Sequence, residues 1–149
     1  LYSLFFFSMI QMKEEVTEMT SAVRYYSRSG HTKLLAEAIA KGAGVSAVSV
    51  DEAGSDLKEP VDILYVGGAL YAYGLDTHLK DWLSALDGKQ VRHAVVFSTT
   101  WLSRHSLVLI RKALQDKGIQ VLSETIYCKG KPDEAQLQEA EETARRISA

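Results

Sequence analysis

The sequence predicts one α/β domain built on a parallel, five-stranded sheet with helices on both faces. Three observations predict it. Short apolar runs alternate with longer runs whose apolar residues recur at helical spacing. The third apolar run, "VDILYVGG" (Val61 to Gly68), is apolar almost throughout, as a strand buried on both faces must be. The chain has 149 residues, 46% hydrophobic and 24% charged, which suits a single domain with a sizeable core. Alternation of this kind builds a three-layer α/β/α sandwich through right-handed crossovers.

Each element follows from its pattern. "SAVRYYS" (Ser21 to Ser27) reads as the first strand. Thr32 to Gly42 carries Leu34, Leu35, Ala38 and Ile39 on one helical face, with Gly42 and Gly44 as stop signals. Val45 to Val50 is the second strand. "DEAGSDLKEP" is polar and too short for a crossover helix, so the chain passes by a loop into the third strand, Val61 to Gly68. Thr77 to Leu86 places Leu79, Trp82, Leu83 and Leu86 at helical spacing, which makes Trp82 a core residue. Val91 to Thr100 is the fourth strand. Ser106 to Lys117 is a helix burying Leu107, Ile110 and Leu114, and Ile119 to Cys128 is the fifth strand. Asp133 to Ser148 is the last helix, with Glu141–Arg145 and Glu142–Arg146 spaced for i,i+4 pairs.

Charge and cysteine content narrow the function classes. A formal net charge of −2 does not suggest attraction to nucleic acid or to an anionic membrane. The lone cysteine, Cys128, excludes an intrachain disulfide and fits a reducing, cytoplasmic compartment. The four histidines show no zinc-ligand spacing. "LYSLFFFSMIQM" is apolar but too short to span a bilayer and lacks the charged start of a signal peptide. The domain is expected to begin near Met19, with Leu1 to Glu18 an extension outside it.

In a sheet of this kind, ligands bind beyond the carboxyl ends of the strands, where the strand order reverses. Three loops lie there: Ser27 to Thr32, Ala69 to Gly74, and Thr99 to His105. The first is "SRSGHT". The opening N–H groups of a helix have no intrahelical partner, and with the helix dipole they form an anion site. Ser27, Ser29 and Thr32 add hydroxyls, Gly30 permits close backbone approach, Arg28 adds a cation and His31 a donor. The spacing is neither the mononucleotide nor the dinucleotide glycine fingerprint. Taken alone, the loop is equally consistent with plain helix capping by Ser29 or Thr32.

With the other loops beside it, the sequence resembles the flavodoxin family. "SRSGHT" looks like the family's phosphate loop, [ST]-x-[ST]-G-x-[ST], and "GGALYAYG" resembles the flavin-flanking loop after the third strand. The resemblance runs from about Met19 to the C-terminus. It implies strand order 2-1-3-4-5 and FMN bound at the switch point. It implies that Tyr71, with Tyr73 and Trp101, walls the ring, and that Ala69, Leu70, Ala72, Gly74, Thr99 and Thr100 line it. His31 stands where the family often has Asn. Three departures stand out: the second crossover is short, "TTWLSRH" lacks the usual glycine and acids, and the chain is not strongly acidic. The fifth strand has no long insertion, as in the short-chain type. The expected function is an FMN protein carrying electrons between partner proteins. The alternatives are an FMN-dependent reductase of quinone type, or an interaction module that has lost FMN. No acid–base pair for catalysis is visible, and Cys128 reads as a small buried residue at a strand end.

Overall fold

Alternate side chains along each strand divide between two cores, which is what a sheet covered on both faces requires. The computed structural model describes residues 19–71, 74–101 and 103–149, and Tyr71 by its backbone alone. The elements are β1 (Ser21–Tyr25), α1 (His31–Ala43), β2 (Ala47–Ser49), β3 (Val61–Gly67), α2 (Thr77–Ala85), β4 (Val91–Ser98), α3 (His105–Asp116), β5 (Gln120–Tyr127) and α4 (Glu134–Ile147). The five strands form one parallel sheet in the order β2-β1-β3-β4-β5. The order reverses between β1 and β3, and at such a switch point sheets of this kind bind their ligands.

On one face Leu64, Val66, Ala94 and Val96 meet Leu79, Trp82 and Leu83 of α2 and Leu107, Ile110 and Leu114 of α3. On the other Val23, Tyr65, Val95 and Phe97 meet Leu35, Ala36 and Ile39 of α1 and Ala140 and Ala144 of α4. Trp82 is core, as its spacing predicts, at 7% exposure. The stretch between β2 and β3 forms no helix. It is pinned instead: Ser55 Oγ donates to the Val50 carbonyl at 3.0 Å, and Arg24 Nε donates to the Ser55 carbonyl at 2.5 Å.

Two sequence expectations differ. Gly42 does not stop α1, which runs on to Ala43 and is capped by Gly44 in a left-handed conformation. Gly42 is where α1 crosses α4: a Cβ there would lie 2.0 Å from the Glu141 carbonyl oxygen. The missing side chain lets two backbones touch. Arg146 does not pair with Glu142 but makes a two-pronged contact with Glu124 on β5, at 3.1 and 2.7 Å. The planar guanidinium matches a carboxylate fork, and packing brings the β5 carboxylate to it. The Arg145–Glu141 pair forms as spaced, at 2.9 Å.

Candidate functional site

The first loop leaves β1 and turns into α1 through Gly30, whose φ of 92° is open to glycine and strained for other residues. Gly30 offers no side-chain cap, and no acidic residue occupies the first turn of α1. The first helical bond is Leu34 N–H to the Gly30 carbonyl, at 3.1 Å. The N–H groups of Thr32 and Lys33 are therefore left pointing out of the helix start. Two hydroxyls are set around them. Ser27 Oγ accepts the Gly30 N–H at 3.0 Å, and Ser29 Oγ accepts a long bond from the His31 N–H, 3.4 Å. Each oxygen serves as acceptor to the backbone, which leaves each hydroxyl proton able to donate to a ligand.

Three cross-links bring the loops together. Thr32 and Thr99, both buried, share a hydroxyl–hydroxyl bond of 2.7 Å between the loops after β1 and β4. The Leu70 N–H donates to Thr100 Oγ1 at 3.3 Å, joining the loops after β3 and β4. Arg28 donates to Asp76 from Nε at 3.2 Å and from Nη2 at 2.8 Å, joining the first loop to the start of α2. Asp76 is 4% exposed and also caps α2, accepting from the His78 N–H and bonding His78 Nδ1, both at 2.8 Å. The His78 ring stacks on Tyr26, centroids 4.6 Å apart. Burial pushes the Asp76 pKa up, but the bonds from His78 and Arg28 outweigh it and hold the carboxyl below its ordinary value.

The loop after β4 rests on a buried hydroxyl cluster. Ser98 Oγ donates to the Gly68 carbonyl at 2.6 Å and lies 2.7 Å from Ser106 Oγ, which is 2.8 Å from Thr100 Oγ1. Tyr127 O–H donates to the Thr100 carbonyl at 2.8 Å. Thr99 and Thr100 are thereby held beside the start of α1 and the loop after β3.

Of the residues the sequence singles out, Ser27, Arg28, Ser29, Gly30, His31 and Thr32 form the first loop and the start of α1. Leu70 and Tyr71 pair antiparallel with Leu75 and Gly74, so the second loop is a small hairpin with Ala69 at its entry. Ala72, Tyr73 and the Tyr71 side chain lie outside the described residues. Trp101 is 65% exposed, with the Lys129 ammonium 5.1 Å from its ring centroid. Cys128 is buried at 4% exposure, and burial, then Asp133 and Glu139, push its thiol pKa up, away from nucleophilic character. Sequence reasoning passes over Asp76, His78, Ser98 and Ser106. Asp76 carries a signal, an acid just before a helical run, which is a cap pattern. Ser98 and Ser106 carry none, because one ends a strand and the other lies in the first turn of a helix, and only the fold brings their hydroxyls together.

No protein-family model matches the chain, and no curated protein matches its sequence. Solved structures do match its fold. A flavodoxin from the domain Archaea superposes with a TM-score of 0.78 at 22% identity, covering 87% of this chain and 96% of that one. A flavodoxin described as WrbA-like, from Agrobacterium tumefaciens, gives 0.74 at 18% identity, over 88% of this chain and 96% of that one. The flavodiiron protein from Giardia intestinalis gives 0.74 at 17% identity, over 86% of this chain but 35% of its own. The fold is flavodoxin-like, with the strand order that the resemblance implied.

Proposed function

We propose, from a flavodoxin-like fold whose three strand-end loops meet at an open helix start, that this protein binds FMN and carries electrons between redox partners. The observation that carries the reading is the convergence itself. An acid-free, uncapped start to α1 is linked to the loop after β4 by Thr32–Thr99, and that loop is linked to the hairpin by Thr100–Leu70.

The donor set fits a phosphate. The hydroxyls of Ser27 and Ser29 and the N–H groups of Thr32 and Lys33, which the helix start leaves without intrahelical partners, can all offer hydrogens, and none of the first-turn residues presents a carboxylate to repel an anion. A flat ring would then lie between the hairpin and the loop after β4, with Tyr71 as one wall and Thr99, Thr100 and Trp101 lining the other. When bound, the flavin supplies one- and two-electron chemistry, and the protein supplies binding, orientation and electrostatics. Here the Ser98–Thr100–Ser106 cluster keeps the Thr99 and Thr100 backbone fixed before any ligand arrives, which lowers the ordering cost of binding.

The test is a titration of flavin-stripped protein with FMN and with riboflavin, followed by flavin fluorescence. FMN is expected to bind far more tightly, because riboflavin lacks the phosphate. Equal affinities, or no binding of either, would overturn the reading. Oxidation of a nicotinamide cofactor without any added reductase would assign the protein as a stand-alone reductase instead.

A further inference from the structure

The loops after β4 and β5 hold cations and aromatic rings against one another. Arg104 lies with its guanidinium carbon 4.5 Å from the Tyr127 ring centroid, and Lys129 lies over Trp101. Lys131 follows two residues on. Arg104, Lys129 and Lys131 are all exposed, and among the described residues none has a carboxylate within 4.0 Å. The acids that act at this end, Asp133 and Glu139, bear on the buried Cys128 thiol, and Asp133 also caps α4, accepting the Gln136 N–H at 2.8 Å.

Trp101 is exposed but held. The Gly130 N–H donates to the Thr99 carbonyl at 3.2 Å, which ties the two loops together. A Cβ on Gly130 would come within 3.0 Å of Trp101 Cε3, so the indole lies against bare backbone. Across the same end of the sheet, near Tyr25, the charge has the opposite sign: Glu37, Asp51 and Glu52 act on that phenol. The loops after β4 and β5 thus present three exposed cations with no ion-pair partner among the described residues, while Asp51 and Glu52 follow β2.

We propose that the basic, tryptophan-centred patch formed by Trp101, Arg104, Lys129 and Lys131 is a docking surface for the acidic face of a partner protein. Unpaired cations steer an oppositely charged partner and set its register. Tryptophan and arginine dominate binding energy when an interface buries them. The patch suits a protein better than a nucleic acid, because Lys129 already covers a face of the indole and a stacking base would have to displace it. The proposal rests on the FMN reading only for the partner's role as electron donor or acceptor.

The experiment uses the full chain, with and without added FMN, at low ionic strength. A short poly-glutamate peptide serves as probe and tryptophan fluorescence as readout. Trp82 is buried, so a change reports Trp101, and Trp101→Phe checks the assignment. Carbodiimide coupling then maps which lysines touch the probe's carboxylates. Saturable binding is expected, weakening about tenfold or more when salt is raised to a physiological level. Couplings are expected at Lys129 and Lys131. Lys129→Glu should weaken binding about tenfold, while Lys89→Glu, an equal charge change just before β4 at the other end of the sheet, should leave it unchanged. Absence of binding, couplings confined to other lysines, equal effects of the two variants, or tighter binding of a single-stranded oligonucleotide would each overturn the proposal. Peptide binding in protein that takes up no FMN would sink the flavin reading and leave the docking surface standing.

Discussion

Ser29 and Thr32 differ in what they hold, although both are hydroxyls of one loop. Ser29 is exposed and accepts the His31 N–H, whereas Thr32 is buried and shares its hydroxyl with Thr99. Ser29→Ala should therefore weaken FMN with little loss of stability, by about 1.5–3 kcal/mol for a bond to a charged group. Thr32→Ala should weaken FMN similarly and also lower stability, because Thr99 loses its buried partner. Isothermal titration of each variant beside its urea midpoint separates the two effects, and identical profiles would refute the distinction. Asp76 gives a second residue-scale expectation. Its carboxyl is held below the ordinary range, so its stabilisation is complete above that range and is lost as pH falls through the lowered value. Asp76→Asn can still cap α2 but cannot pair as a charge with Arg28. It should lower stability by about 1–2 kcal/mol at pH 7, and the gap should close only at a pH below that lowered value, where wild type loses the same charge. Urea unfolding at the two pH values would show a constant gap if the charge did not matter.

At the scale of elements, the contact between α1 and α4 is set by a residue without a side chain. Ala is a better helix former than Gly by about 1 kcal/mol, so Gly42→Ala would stabilise an isolated helix. In the folded protein the added Cβ would sit 2.0 Å from the Glu141 carbonyl oxygen. Overpacking of this kind costs about 1–3 kcal/mol, and against rigid backbone the upper part of that range applies. Gly42→Ala should therefore lower the unfolding midpoint, and an increase would show that α4 shifts at no cost. The start of α2 shows the same interdependence. Its cap, Asp76, is also the anchor for Arg28 in the loop after β1, so the helix and the loop are positioned by one carboxylate.

For the whole molecule, a net charge of −2 conceals a sorted surface. Arg28 is compensated by Asp76, while Arg104 rests on Tyr127 with no acid within ion-pair reach among the described residues. A unit charge about 10 Å from a bound ring, at an effective dielectric near 20, contributes on the order of 1–2 kcal/mol. For a one-electron step that corresponds to roughly tens of millivolts, with about 59 mV per tenfold change. In FMN-loaded protein, Arg104→Glu should lower the midpoint potential by that order, and less at high salt, because the group is exposed. A spectroelectrochemical titration with no shift at low salt would place Arg104 beyond electrostatic reach of the flavin.

Residue order alone carries whatever is governed by short range. Periods of 2 and 3.6 separate strands from helices, and the apolar third run demands helices on both faces. Hydroxyls and Gly30 packed into six residues mark the turn into α1, since capping and left-handed backbone are local matters. Which residues meet across long separations is settled in the folded chain. Glu142 lies four residues from Arg146, yet Glu124 takes that guanidinium, because the fold brings the β5 carboxylate within reach of both its terminal nitrogens. Gly42 looks like a stop until α4 lies across it. Ser98, Thr100 and Ser106 join a single buried cluster, and Thr32 finds Thr99 sixty-seven residues away. Buried polar atoms must be satisfied by whatever the crossovers bring beside them, and a one-dimensional pattern holds no record of that arrival.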